Sequence, residues 1–168
     1  MLKNYLFIVA LLSLTACSHT YYVVRHAEKQ VLTDADMMKN DPPLTDSGKE
    51  RAVALGEVLK GKHIRYIFST NTLRTRSTSA PLSASIAVPL TLYGPKPDPA
   101  FIQKLKSLKG NVLVVAHSNT VAGIVNGLCN KTVLAEDLKD NAYDNLFVIS
   151  YHHFLGHRIS FRRRKYGR

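Results

Sequence analysis

Apolar residues change their spacing several times along the chain, and each change marks an element. Tyr21-Tyr22-Val23-Val24 is β-branched and aromatic, which predicts a buried strand. A polar irregular stretch, Gln30–Pro43, separates it from a helix whose Ala52, Leu55, Val58 and Leu59 share one face. Thr45 or Ser47 is the expected N-cap of that helix. Ser47 with Glu50 forms a capping-box pattern, and Gly61 is the expected stop. Ile64–Ser69 predicts a second strand. Arg74–Ser83 predicts a helix that Pro81 should kink or end. Val88–Tyr93 predicts a short strand, and Asp98-Pro99 fits an N-cap followed by proline at the first helical position. Phe101, Leu105 and Leu108 supply that helix with its apolar face.

Asn111–Ala116 is almost wholly apolar, as expected of a central parallel strand buried on both faces. A helix from about Thr120 to Leu128 follows. Ala135–Asp144 reads as polar and partly helical, and Leu146–Tyr151 and Arg158–Arg162 as two late strands around Phe154-Leu155-Gly156. No internal repeat or composition break follows Cys17. The alternation predicts an α/β fold: three layers, a mostly parallel sheet, helices on both faces and right-handed crossovers.

The first residues read as a targeting segment. Lys3 precedes a short apolar run, Tyr5–Leu14, that ends in Leu14-Thr15-Ala16-Cys17. This resembles a bacterial lipobox, whose cysteine is lipidated and becomes the new N-terminus. The expected division is a lipoprotein signal peptide at 1–16, a lipidated tether at 17–20, a domain at 21–162 and a basic tail at 163–168. The expected address is the bacterial cell envelope, lipid-anchored and facing the periplasm. With Cys17 lipidated, Cys129 has no disulfide partner and reads as a small buried hydrophobe.

At 168 residues and 45% hydrophobic content, the chain suits one domain with a sizeable core. Its formal charge of +11 favours anionic partners. An exported chain argues against nucleic acid. The remaining choices are phosphorylated small molecules, envelope sugar or lipid phosphates, and the membrane itself through the anchor. The Arg162–Arg168 run could rest on anionic headgroups.

Unusual groups stand at three strand ends: Arg25 and His26, then Arg74, then His117. Ligands of open α/β sheets bind at the carboxyl ends of strands. Backbone N–H groups at strand-to-helix turns and forked arginine donors both suit phosphate. One neutral imidazole can attack a phosphoryl group while the other donates to its oxygens. His152, His153 and His157 have no tight metal-ligand spacing, so no metal is expected.

Four segments in order carry a family resemblance. Val24-Arg25-His26-Ala27-Glu28-Lys29 resembles the Arg-His-Gly/Ala signature of the histidine phosphatase superfamily, which includes the cofactor-dependent phosphoglycerate mutases. Pro43-Leu44-Thr45-Asp46-Ser47-Gly48 is similar to its helix-opening Leu-Thr-x-x-Gly. Ser69–Thr78 resembles its Ser-x-x-x-x-Arg-Thr/Ala-x-x-Thr segment, and Ala116-His117-Ser118 its Gly-His-Gly/Ser turn, with Ala116 in place of glycine.

The resemblance spans roughly Tyr21 to Tyr151. It implies a phosphoglycerate mutase-like fold, His26 as a nucleophile that becomes phosphohistidine, and Arg25, Arg74 and His117 as the phosphate pocket. It implies no metal or organic cofactor. The general acid is the departure from the family pattern. Asp98 lies in the region where the family often has a glutamate, with Glu28, Asp34 and Asp36 as further candidates.

The expected function is phosphomonoester hydrolysis. It is favoured over mutase chemistry because no long insertion builds a water-excluding lid. The alternative is a non-catalytic phosphate- or envelope-binding lipoprotein on the same fold.

Overall fold

The computed structural model describes residues 18–31, 41–152 and 158–167. The signal segment, Cys17, Asp34, Asp36, His153, His157 and Phe154-Leu155-Gly156 lie outside them. The elements run β1 (His19–Arg25), α1 (Asp46–Leu59), β2 (Ile64–Thr70), α2 (Leu73–Ile86), β3 (Leu90–Tyr93), α3 (Pro99–Ser107), β4 (Asn111–Ala116), α4 (Ser118–Cys129), β5 (Asn145–His152) and β6 (Arg158–Lys165). They build one six-stranded sheet in the order β3-β2-β4-β1-β5-β6. The first four strands in that order are parallel, and β5 and β6 add an antiparallel edge. This is the expected mostly parallel α/β sheet.

Alternation along β1 and β4 feeds two cores. Tyr21, Val23, Val112 and Val114 meet Leu105 of α3 and Ile124, Val125 and Leu128 of α4. Tyr22, Val24, Leu113 and Val115 meet Leu55 and Leu59 of α1 and Leu82 of α2 on the opposite face. Both faces of β4 are thus covered, which is why its sequence is continuously apolar. The three central strands start level. The Asn111 amide accepts from Thr20 N–H at 2.8 Å and donates to the Lys62 carbonyl at 2.6 Å.

Several expectations change. Strand β1 begins at His19, so His19 and Thr20 belong to the sheet and not to a tether. Thr45 alone caps α1, its Oγ1 accepting from Gly48 N–H at 3.0 Å, because Thr45 N–H is already held by the Glu28 carbonyl at 2.9 Å. The Ser47–Glu50 box is not used; Ser47 lies inside the helix. Helix α2 continues past Pro81 to Ile86. Gly56 of α1 faces this stretch, a Cβ added there standing at ordinary contact distance, 3.5 Å from Leu82 N, and Leu82 is fully buried. Packing outweighs the lost hydrogen bond. Residues 135–144 contain no helix. The basic tail is not free: β6 runs to Lys165, and Tyr166 is buried against the α1–α2 face.

Candidate active site

The parallel strands β1, β2 and β4 end side by side, and each delivers a polar group at its carboxyl end. Arg25 pairs with Ala116 across β1 and β4, so His26 and His117 leave the sheet at one level. Their rings meet edge to face with centroids 5.5 Å apart. His26 is 3% exposed, and its Nδ1 lies 2.8 Å from the Ala27 carbonyl. A carbonyl can only accept, so Nδ1 carries the hydrogen and Nε2 keeps its lone pair.

His117 Nε2 lies 2.9 Å from Thr70 Oγ1, and Arg74 Nη2 approaches its Nδ1 at 3.5 Å. The guanidinium can only donate. This makes Nδ1 the acceptor and leaves the Nε2 hydrogen for Thr70.

Arg25 is buried and aimed by backbone. Its Nη1 donates to the carbonyls of Lys139 and Asp140, each at 2.9 Å, and its guanidinium lies 4.2 Å from the centre of the Tyr143 ring. Arg74 donates to Asp41 Oδ1 at 3.3 Å. The Asp41 carboxylate also takes the Leu73 N–H at the start of α2, so it acts as that helix's side-chain cap. The Nε–H groups of both Arg25 and Arg74 are buried with no acceptor among the described residues. Two orphaned cationic donors beside two imidazoles are what an oxyanion would satisfy.

Burial and the two arginines push His26 down to about 3 and His117 down to about 4, while Asp41 acts against the shift at His117. Both imidazoles are therefore neutral at neutral pH. Burial also lowers Arg25 from its usual value.

The threonines of the Ser69–Thr78 segment hold this framework. Thr75 Oγ1 lies 2.9 Å from Thr70 Oγ1, and Thr78 Oγ1 accepts from Ala27 N–H at 2.9 Å while donating to the Arg74 carbonyl. Gly48 lies under the loop that follows His26. A Cβ there would fall 2.3 Å from the Glu28 carbonyl oxygen.

The four predicted residues Arg25, His26, Arg74 and His117 thus come together. Of the acid candidates among the described residues, neither Asp98 nor Glu28 joins them, and Asp34 and Asp36 lie outside those residues. Asp98 is exposed and caps α3, accepting from Phe101 N–H at 2.7 Å. Glu28 turns away to a bidentate pair with Arg51 Nε at 2.8 and 2.9 Å. Sequence reasoning missed Asp41, Thr70 and Tyr143 as members of the cluster. Asp41 and Tyr143 sit in irregular segments where no periodicity marks them.

With this geometry established, residues 21–93 match the family model of the histidine phosphatase superfamily, branch 1. That stretch, which carries β1, α1, β2, α2 and β3, is similar to the superfamily. No curated protein sequence matches it. Solved structures share this chain's fold. The protein histidine phosphatase SixA complexed with tungstate is 18% identical, with a TM-score of 0.65, covering 87% of this chain and 96% of that one. A protein from Nakamurella multipartitia, assigned as a phosphohistidine phosphatase SixA, is 19% identical with a TM-score of 0.62, covering 89% and 96%. The mycobacterial glucosyl-3-phosphoglycerate phosphatase with inorganic phosphate is 14% identical with a TM-score of 0.64, covering 85% and 95%. At these identities the likeness is one of fold.

Proposed function

We propose that the chain is a phosphatase that transfers a phosphoryl group to His26 and then to water. The observation that carries this reading is the Nδ1–H of His26 held by the Ala27 carbonyl, which leaves Nε2 as an unprotonated nucleophile inside a cationic pocket. Arg25 and Arg74 take the equatorial phosphoryl oxygens with their unmatched donors. His117 faces the same group and donates to it once the anion's charge has raised the imidazole enough to take up a proton from solvent. Attack by Nε2 forms a P–N bond as the bond to the leaving oxygen breaks. Water then attacks phosphorus, the P–N bond breaks, and inorganic phosphate leaves.

Structural neighbours named for phosphohistidine and for glucosyl-3-phosphoglycerate support a phosphorylated substrate. The proposed address is the bacterial envelope, with Cys17 lipidated and the domain facing the periplasm. Basic charge and that address favour a sugar or other small phosphorylated compound.

The test uses a substrate whose leaving group needs no protonation, such as p-nitrophenyl phosphate, so that the nucleophile is read apart from any acid. Acid-labile label from a radioactive phosphodonor should appear on the wild-type chain and vanish in His26→Ala. Turnover of His26→Ala should fall at least about a thousandfold, as expected for loss of a covalent nucleophile. Tight phosphate binding with neither label nor turnover would instead identify a non-catalytic phosphate-binding protein.

A further inference from the structure

The end of the sheet opposite His26 has a chemistry of its own. There β1, β2 and β4 begin, and α1 and α3 finish. A cleft of about 510 Å³ opens between Ser18, Arg65, Lys106, Lys109 and Gly110. Lys60 and Lys62 stand beside it in the turn after α1, and Arg158 opens β6, which pairs with His152 at the far end of β5. Against these cations stands Glu57, which Lys60 already pairs with. The carboxylates Glu28, Asp41, Asp46, Asp98, Asp140 and Asp144 stand instead toward the end where the strands finish, with Asp41 and Asp140 on the site arginines.

Lys60, Lys62 and Lys106 complement the carboxyl ends of helices, which is an ordinary role. Arg65 on a strand and Lys109 in the irregular stretch after α3 have no such helix to complement, and both are exposed.

Chain connectivity gives this surface a direction. Ser18 lines the cleft and His19 is already in β1, so one residue separates Cys17 from the sheet. One extended residue spans about 3.5 Å. A lipid on Cys17 would leave the fold no room to turn over.

We infer that this basal surface, through Arg65, Lys106 and Lys109, lies against anionic phospholipid headgroups and holds the His26 pocket on the side facing away from the bilayer. The proposal rests in part on the lipidation of Cys17. The strand from His19 to Arg25 has 7 residues, which places the pocket roughly 23 Å above the base. The substrate is then a soluble phosphorylated molecule or a protein reaching in from the aqueous side, not a headgroup of the same membrane.

The experiment uses the full chain made in a host that processes lipoproteins, reconstituted in phosphatidylcholine vesicles with or without phosphatidylglycerol. Hydrogen exchange is followed in peptides covering 106–110 and 139–143. Phosphatidylglycerol should slow exchange several-fold at 106–110 and leave 139–143 unchanged. The charge-reversed variant R65E/K106E/K109E should lose that protection while keeping wild-type turnover of p-nitrophenyl phosphate. Equal protection on both lipids, protection that survives charge reversal, or protection at 139–143 would overturn the proposal.

Mass spectrometry of Cys17 judges the anchor separately. If the cysteine carries no lipid, that reading alone falls, and the surface is judged by cosedimentation with phosphatidylglycerol vesicles. At roughly fivefold per cation, losing three cations alone cuts partitioning about a hundredfold, so charge reversal should cut it by at least that much. No cosedimentation, or binding to duplex DNA in place of vesicles, would overturn it.

Discussion

His117 is neutral in the free site because burial disfavours its charged form and because protonation would add a third cation beside Arg74 and Arg25. A bound phosphate dianion reverses that balance. Its charge faces the same ring, so His117 should climb from about 4 toward the ordinary imidazole range when inorganic phosphate binds. Ring-proton NMR titration with and without phosphate reads this directly, and an unmoved His117 would exclude it from the pocket.

Asp41 belongs to the same balance. It is a carboxylate held on Arg74 where a phosphoryl oxygen would compete. Asp41→Asn keeps an acceptor for the Leu73 N–H and removes the charge. One like charge at this range is worth about 1 kcal/mol, so phosphate should bind about fivefold tighter by calorimetry. Weaker binding would instead mean that Asp41 is needed to hold Arg74 in place. Arg25, His26, Arg74 and His117 were legible because strand ends are easy to find and those side chains carry the chemistry. Asp41 and Tyr143 were not, because only the folding of irregular chain brings them near.

At the scale of elements, the first turn of α1 supports the loop that shapes the nucleophile. Thr45 N–H holds the Glu28 carbonyl, and Gly48 passes against the same carbonyl. Gly48→Ala must push the two backbones apart. We expect a loss of about 1–3 kcal/mol in urea unfolding, as for overpacking elsewhere. A lower kcat should accompany it, since the Ala27 carbonyl that orients His26 lies one residue away. An unchanged stability would show that the loop yields freely.

The Leu-Thr-x-x-Gly pattern thus announced a helix start, and close packing gives its physical reason. Pro81 misled for the opposite reason. Local propensity predicts a break, but burial of Leu82 against α1 at Gly56 carries the helix through. The residues beyond Arg162 misled because their charge suggested solvent, while strand pairing with β5 and the buried Tyr166 bind them to the fold.

The whole molecule should feel its two buried imidazoles as acid sensitivity. In the unfolded chain both titrate near 6.5, whereas the folded chain keeps them neutral down to about 3 at His26 and about 4 at His117. Between those limits the unfolded state binds more protons, so stability rises with pH across the window. The contribution is complete above about pH 6.5 and is lost progressively as the pH falls toward 4 and below. Self-repulsion from a net charge of +11 also grows in acid, but chiefly once carboxylates protonate, near pH 4.

The two effects separate by where they begin and by salt. The urea midpoint of the wild-type chain should fall between pH 7 and pH 5 at both low and high ionic strength. His26→Asn and His117→Asn, uncharged and similar in shape, should each flatten that slope. A midpoint that stays level from pH 7 to pH 5, or that recovers fully in salt, would mean that the imidazoles take up protons in the folded state. The pocket would then be cationic on His26 as well, and Nε2 would have no lone pair to attack with.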